Sequence, residues 1–123
     1  MLKNILLIGL GGAIGSVLRY LCNIAISKYF PSSFPWPTLA VNVLGCFLIG
    51  IFLALFGREH ENQVDMRMLF MTGFCGGYTT FSAFALENLQ LLQQGQLNLS
   101  VIYMIASIVL GLLAVWVGVA VVR

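Results

Sequence analysis

Charge is scarce in this chain. Six Lys or Arg and four Asp or Glu are spread over 123 residues, 8% in all, where a soluble domain carries about 25%. Together with a mean hydropathy of +1.00 and a 60% hydrophobic composition, this excludes a water-soluble fold and places the chain in a membrane. The few basic residues are scattered, which excludes a nucleic-acid surface. Histidine occurs once, as His60. The apolar runs hold no serine–histidine pair, paired aspartates or His-Glu metal arrangement, so the chain is not expected to be an enzyme. Cysteine is limited to Cys22, Cys46 and Cys75, an odd number without metal-ligand spacing, and these read as small packing residues within the apolar runs. All three prolines fall in a single connection, which leaves the apolar runs uninterrupted.

What is present is a set of apolar runs, each near the length of about 20 residues that crosses a bilayer as a helix. They are read as four spans, Asn4 to Ile26, Thr38 to Phe56, Arg67 to Leu92 and Asn98 to Val122, forming a single all-α transmembrane domain over residues 1–123. The first run is too long for a signal peptide, carries Arg19 internally and is followed by three more. Between the first two runs, SKYFPSSFPWP suits an extended loop with Tyr29 and Trp36 at the lipid interface. The second connection, GREHENQVDMR, holds most of the charge and reads as solvated, with a proton-shuttling His60 as the sharper alternative. A tight turn is expected around Gln94 to Gln96. Lys3, Arg58, Arg67 and Arg123 on one side stand against Arg19 and Lys28 on the other, a weak bias that puts the termini in the cytoplasm and permits insertion in both orientations. No repeat is visible, so a working symmetry would need a second copy, most simply a homodimer.

Polar residues line up on helix faces. Gly12, Gly15, Arg19 and Asn23 share one face of the first helix, and Gly11 and Gly15 form a G-x-x-x-G that permits close backbone approach. The string GLGGAIG lacks the spacing and preceding strand of a nucleotide-binding loop. Arg19 costs about 2.5–3.5 kcal/mol to insert; it either snorkels and anchors loops or draws anions into a vestibule. Thr38, Asn42 and Gly45 share a face of the second helix, where Asn42 offers two amide donors to an anion or serves as interhelical glue. Ser100, Tyr103, Ser107, Gly111, Ala114 and Gly118 form a stripe on the last helix that is expected to face protein.

The stretch GFCGGYTTFSAF, residues 73–84, places glycines and hydroxyls inside an apolar run. Gly76 and Gly77 offer little resistance to unwinding, and Tyr78, Thr79 and Thr80 can satisfy loosened backbone, so the third helix is expected to break there. A break at membrane depth persists only where protein, an ion or water satisfies the freed groups, and it marks a working site. Carbonyl oxygens gathered there suit a small hard cation. Phe81 and Phe84 lie three apart on one face and either pack in the core or turn positive ring edges toward an anion. Glu87, the sole carboxylate in a span, is either a proton-exchanging group or a partner for Arg19, Asn88 or a backbone amide.

Across essentially the whole chain, GGAIGSVLRY, PTLAVNVLGCFLIG and GFCGGYTTFSAFALE resemble the small fluoride channels of the Fluc, or CrcB, family. The resemblance implies passive, selective export of fluoride through the inner membrane of a bacterium. It also implies an antiparallel, dual-topology homodimer in lipid with two pores and a structural sodium ion on its two-fold axis. By motif, Phe81 and Phe84 resemble the fluoride-facing phenylalanines and Asn42 the pore asparagine; Thr80, Ser82 and Tyr103 match polar positions beside the pore. Arg19, Thr38, Glu87 and Ser107 fall at vestibule or supporting positions, and Gly76 and Thr79 match the residues whose carbonyls hold sodium. Two alternatives compete with this reading. One is a proton-coupled exporter of the small multidrug-resistance type working through Glu87, although the essential acid of those proteins sits in helix one, where this chain has Arg19. The other is a non-conducting membrane structural subunit, which leaves the GGYTTFS break without a purpose.

Overall fold

In a computed structural model of the protein, which describes residues 1–57 and 61–123, every regular element is a helix and no strand occurs among those residues. His60 and Arg58 lie outside the described residues. Helix α1 is Leu2–Tyr29 and α2 is Trp36–Phe56; α3 runs over residues 64–78, α4 is Phe81–Gln93 and α5 is Leu97–Val122. Of these, α1, α2 and α5 are each long and apolar enough to cross a membrane. The third apolar run is divided between α3 and α4, and neither piece alone has that length.

The helices overrun the runs expected from hydropathy, because regular hydrogen bonding continues into the polar ends Ser27–Tyr29 and Trp36–Pro37. Proline defines the entry to α2. Pro35 caps it and Pro37 occupies the first turn, where a missing N–H breaks no bond. At the other end of α2, Arg67 Nη1 donates to the carbonyls of Phe56 and Gly57, both at 3.0 Å, and places a cation on the negative end of the helix dipole. Helix α4 ends as the expected tight turn. Gly95 adopts φ 75°, Gln96 N–H donates to Leu91 O at 2.9 Å and Gly95 N–H to Leu92 O at 3.1 Å, the paired closure that a glycine in the left-handed region permits.

Glycine contacts assemble the bundle. A Cβ on Gly15 would collide with the Phe74 carbonyl and stand 2.9 Å from Tyr78 N, and one on Gly77 would stand 2.5 Å from the Gly12 carbonyl oxygen. Helix α1 therefore docks backbone to backbone on α3. Helices α2 and α5 meet in the same manner where Gly50 faces Val115 and Gly118 faces Phe47. The expected stripe on α5 does face protein: Ser100, Tyr103, Gly111 and Gly118 are its buried residues.

The first connection folds inward through Phe34 rather than through Tyr29 or Trp36, both of which remain exposed. Phe34 packs edge-on against the fully buried Tyr103, with ring centroids 5.6 Å apart at 72°. It joins the small core of Leu39, Leu91 and Tyr103.

Candidate functional site at the broken helix

Helix α3 is wound unusually. Val64–Met66 is α-helical, Arg67–Cys75 is π-helical, and Gly76–Tyr78 returns to α geometry. A π stretch of any length is rare and concentrates at functional positions. The break itself falls three residues later than expected, at Thr79–Thr80 instead of Gly76–Gly77. Gly76 and Gly77 are helical, whereas Thr79 (φ −89°, ψ 160°) and Thr80 (φ −150°, ψ 115°) are extended. Gly77 is used for close approach to α1, and the β-branched threonines, well suited to extended backbone, carry the interruption.

Several of the groups freed near the break have identifiable partners. Thr80 N–H donates to Asn42 Oδ1 at 2.8 Å, while Asn42 Nδ2 donates back to Thr80 O at 3.1 Å, so one side chain on α2 satisfies both backbone groups of one residue. Cys75 O accepts from Thr79 N–H at 3.0 Å and from Thr79 Oγ1 at 2.9 Å. Gly77 O accepts from Arg19 Nε at 3.1 Å and from Ser16 Oγ at 3.5 Å. Helix α4 then starts with Thr80 as its cap, Ala83 N–H donating to Thr80 Oγ1 at 3.1 Å. Diverting Thr80 N–H to Asn42 leaves Gly76 O without its α-helical donor.

Arg19 Nε donates to the carbonyl end of α3, where a cation complements the helix dipole. Ser16, one turn before it, was not anticipated; its signal was the i, i+3 spacing to Arg19 on the same face. Glu87 takes neither Arg19 nor Asn88 as partner. Thr38 Oγ1 donates to Glu87 Oε2 at 2.7 Å and Tyr103 OH to Glu87 Oε1 at 2.8 Å, tying α2, α4 and α5 together. Asn88 instead donates to Phe84 O at 2.8 Å and accepts from Ser100 Oγ at 2.9 Å.

Asn42, Thr79, Thr80, Phe81, Phe84 and Ser107 come together around one cavity of about 300 Å³. The rings of Phe81 and Phe84 are 5.6 Å apart at 36°, and Phe84 also lies 5.0 Å from Tyr103. Thr80 Oγ1, in this wall, and the exposed Ser82 Oγ stand 3.3 Å apart. Ser107 Oγ is buried in the cavity wall with no hydrogen-bond partner. Gly76 is not in this wall. It lines a second cavity of about 230 Å³ with Thr79, Cys75 and Cys46. Glu87 lies in neither; with Gln90, Gln94 and the proline loop it borders a third, more polar cavity of about 300 Å³.

Chemically, the first cavity offers hydroxyl and amide donors beside two aromatic rings, with no formal charge in its wall. Such a wall suits a small anion that must exchange water for donors without being trapped. The arrangement is that of a multi-pass helical membrane protein whose helical break opens on an uncharged, mostly apolar cavity with a few hydroxyl and amide groups in its wall.

Residues 6–119 match the family described as CrcB-like protein, Camphor Resistance (CrcB). The chain is 51% identical over 118 residues to the fluoride-specific ion channel FluC of Phocaeicola vulgatus, covering 96% of this chain and 97% of that protein. The FluC proteins of Rhizobium johnstonii, 48% identical over 96% of this chain and 94% of theirs, and Flavobacterium psychrophilum, 45% identical over 95% and 94%, carry the same name. The chain belongs to the CrcB family.

Proposed function

We propose that this protein is a subunit of a fluoride-selective passive channel that lets fluoride leave the cytoplasm, in the inner membrane of a bacterium. The observation that carries the reading is the buried Ser107 hydroxyl, unpartnered, in the same wall as Phe81, Phe84 and Asn42. A buried polar group without a partner costs about 1–3 kcal/mol, and an anion passing through the cavity would accept its proton. Asn42 retains a second amide N–H after its bond to Thr80 O, and Ser82 adds a hydroxyl at the rim. Tyr103 contributes differently, because its proton is spent on Glu87 and its ring backs Phe84. Thr38 and Tyr103 hold the Glu87 carboxyl outside the Phe81–Phe84 cavity.

The channel is a homodimer of antiparallel, four-span subunits in lipid. Support comes from exposure: Phe81 is 78% exposed in one copy, and most of the apolar length of α1, α2 and α5 is left unburied. A pore ring left open in this way is completed by a second copy. Gly76 and Thr79 would hold a sodium ion between the copies. Their donor set fits a hard monovalent cation, since Gly76 O is released from its helical donor beside extended Thr79, and both offer neutral oxygens. When bound, that ion supplies a fixed positive charge joining the two breaks.

The test is fluoride release from liposomes holding the purified protein, followed with a fluoride electrode, with chloride as competitor and no proton gradient. Fluoride release without chloride release is expected. No release, or release only under a proton gradient, refutes the channel.

A further inference from the structure

Asn88 is a buried polar residue to which the channel reading gives no role. It sits in the middle of α4, although asparagine is a poor helix former and an amide is costly to bury. Both ends of its side chain are held. Nδ2 donates to Phe84 O, one turn back on the same helix, at 2.8 Å, and Oδ1 accepts from the fully buried Ser100 Oγ of α5 at 2.9 Å. A hydrogen-bonded chain therefore runs from the backbone of Phe84 across the helix contact to α5. Glu87, the preceding residue, makes a second tie, to Thr38 of α2 and Tyr103 of α5. With 3.6 residues per turn, Glu87 lies about 60° to one side of Phe84 around the α4 axis and Asn88 about 40° to the other. The two ties flank Phe84, so together they resist rotation of α4 in either sense. The apolar packing of Phe84 on Leu39, Leu91 and Tyr103 is non-directional and cannot do the same.

We propose that Asn88, through Ser100, is a positioning residue for Phe84: the pair locks the rotation of α4 and so fixes where the Phe84 ring stands in the cavity wall. That ring lies 5.6 Å from Phe81 and 5.0 Å from Tyr103, and a turn of α4 would change both spacings together. The role rests on the proposed passage of fluoride beside Phe84. A single buried asparagine fixes the register of packed helices at a cost in stability, and here the feature it fixes is an aromatic ring. Removing one partner of the Asn88–Ser100 bond leaves the other buried and unpaired, which is destabilising, whereas replacing both with apolar groups of similar shape is nearly neutral. Stability and ring position therefore come apart in a variant that lacks both.

The test compares the full-length parent with Asn88→Leu, Ser100→Ala and the double variant Asn88→Leu/Ser100→Ala. Each single change should lower the midpoint of thermal unfolding in detergent, and the double variant should recover most of that loss. Fluoride efflux from liposomes should nevertheless be lost in the double variant. In the same proteins, para-fluorophenylalanine placed at Phe84 and read by fluorine NMR in fluoride-free buffer should give one resonance in the parent and a shifted or divided signal in the double variant. Parental efflux in a folded double variant overturns the assignment, and so does lost efflux with the resonance unchanged, since the pair would then not act through the ring. Should the double variant fail to fold, Ser100→Ala decides by the same two readouts: slowed efflux with a changed resonance is expected, and a parental value of either overturns the lock. A parent that passes no fluoride refutes the channel; an unchanged resonance in the double variant then overturns the lock by itself, and a changed one leaves the lock standing.

Discussion

Replacing Asn42 with alanine removes both partners of Thr80 at once, the acceptor 2.8 Å from its N–H and the donor 3.1 Å from its carbonyl. An orphaned buried polar group costs about 1–3 kcal/mol, so two would cost about 2–6 kcal/mol if nothing replaced the amide. Two effects pull this down. Side-chain hydrogen bonds in one membrane protein average only ~0.6 kcal/mol, because the unfolded chain finds other partners in the bilayer. The adjoining cavity of about 300 Å³ also has room for water, which recovers part of each bond. The expected loss is therefore about 1–3 kcal/mol, from two bonds at the membrane average up to the lower half of the orphan-group range. Thermal unfolding in detergent should show a lower midpoint for Asn42→Ala, and fluoride efflux should fall with it. The two readouts separate two roles. A residue that only donates to passing fluoride would lose flux and keep its stability, whereas a residue that holds the break loses both. Parental stability in Asn42→Ala would refute the claim that this side chain supports the break.

Gly15→Ala should prevent α1 from docking on α3, since the added methyl meets the Phe74 carbonyl, while Gly9→Ala, with nothing within 4 Å, should behave as the parent; size-exclusion profiles and yield compare them. Tyr103→Phe removes the 2.8 Å bond to Glu87 and keeps the ring contacts to Phe34 and Phe84; a loss of about 0.5–1.5 kcal/mol, the net value of a typical hydrogen bond, should appear in thermal unfolding. Phe81→Ile and Phe84→Ile should impair fluoride efflux while leaving the oligomer intact in crosslinking, and normal efflux in both would remove the rings from the path. Asp65→Asn breaks the 2.7 Å pair with Lys3, but both side chains are about half exposed or more, so the change in stability should stay below about 1 kcal/mol.

Much of this fold is legible in the chain because hydropathy and small-residue spacing act locally. Three long apolar helices, the Gly95 turn and the protein-facing stripe from Ser100 to Gly118 follow from composition and period. The grouping of Asn42, Thr80, Phe81, Phe84 and Ser107 was legible only through the family motifs, because no periodicity relates residues on three different helices. What could not be read depends on docking. The π winding of Arg67–Cys75 has no local sequence signal. The break moved from Gly76–Gly77 to Thr79–Thr80 because Gly77 is needed against Gly12 and because Asn42, 38 residues away, supplies the compensating amide. Glu87 found Thr38 and Tyr103 for the same reason: its neighbours are set by how α2 and α5 cross α4.

The two supports of the break differ in charge, and that difference bears on conduction. On the α1 side, a guanidinium holds Gly77 O at the negative end of α3. On the cavity side, the neutral amide of Asn42 holds Thr80. Were the positions exchanged, a full positive charge would sit in the wall beside Phe81 and Phe84. Two unit charges 4 Å apart attract by about 4 kcal/mol at an effective dielectric of 20. Such an attraction would lengthen the residence of an anion by roughly a thousandfold. Placing the cation behind the break satisfies the same backbone and leaves the cavity wall lined by dipoles, hydroxyls and rings, with no full charge to hold an anion there.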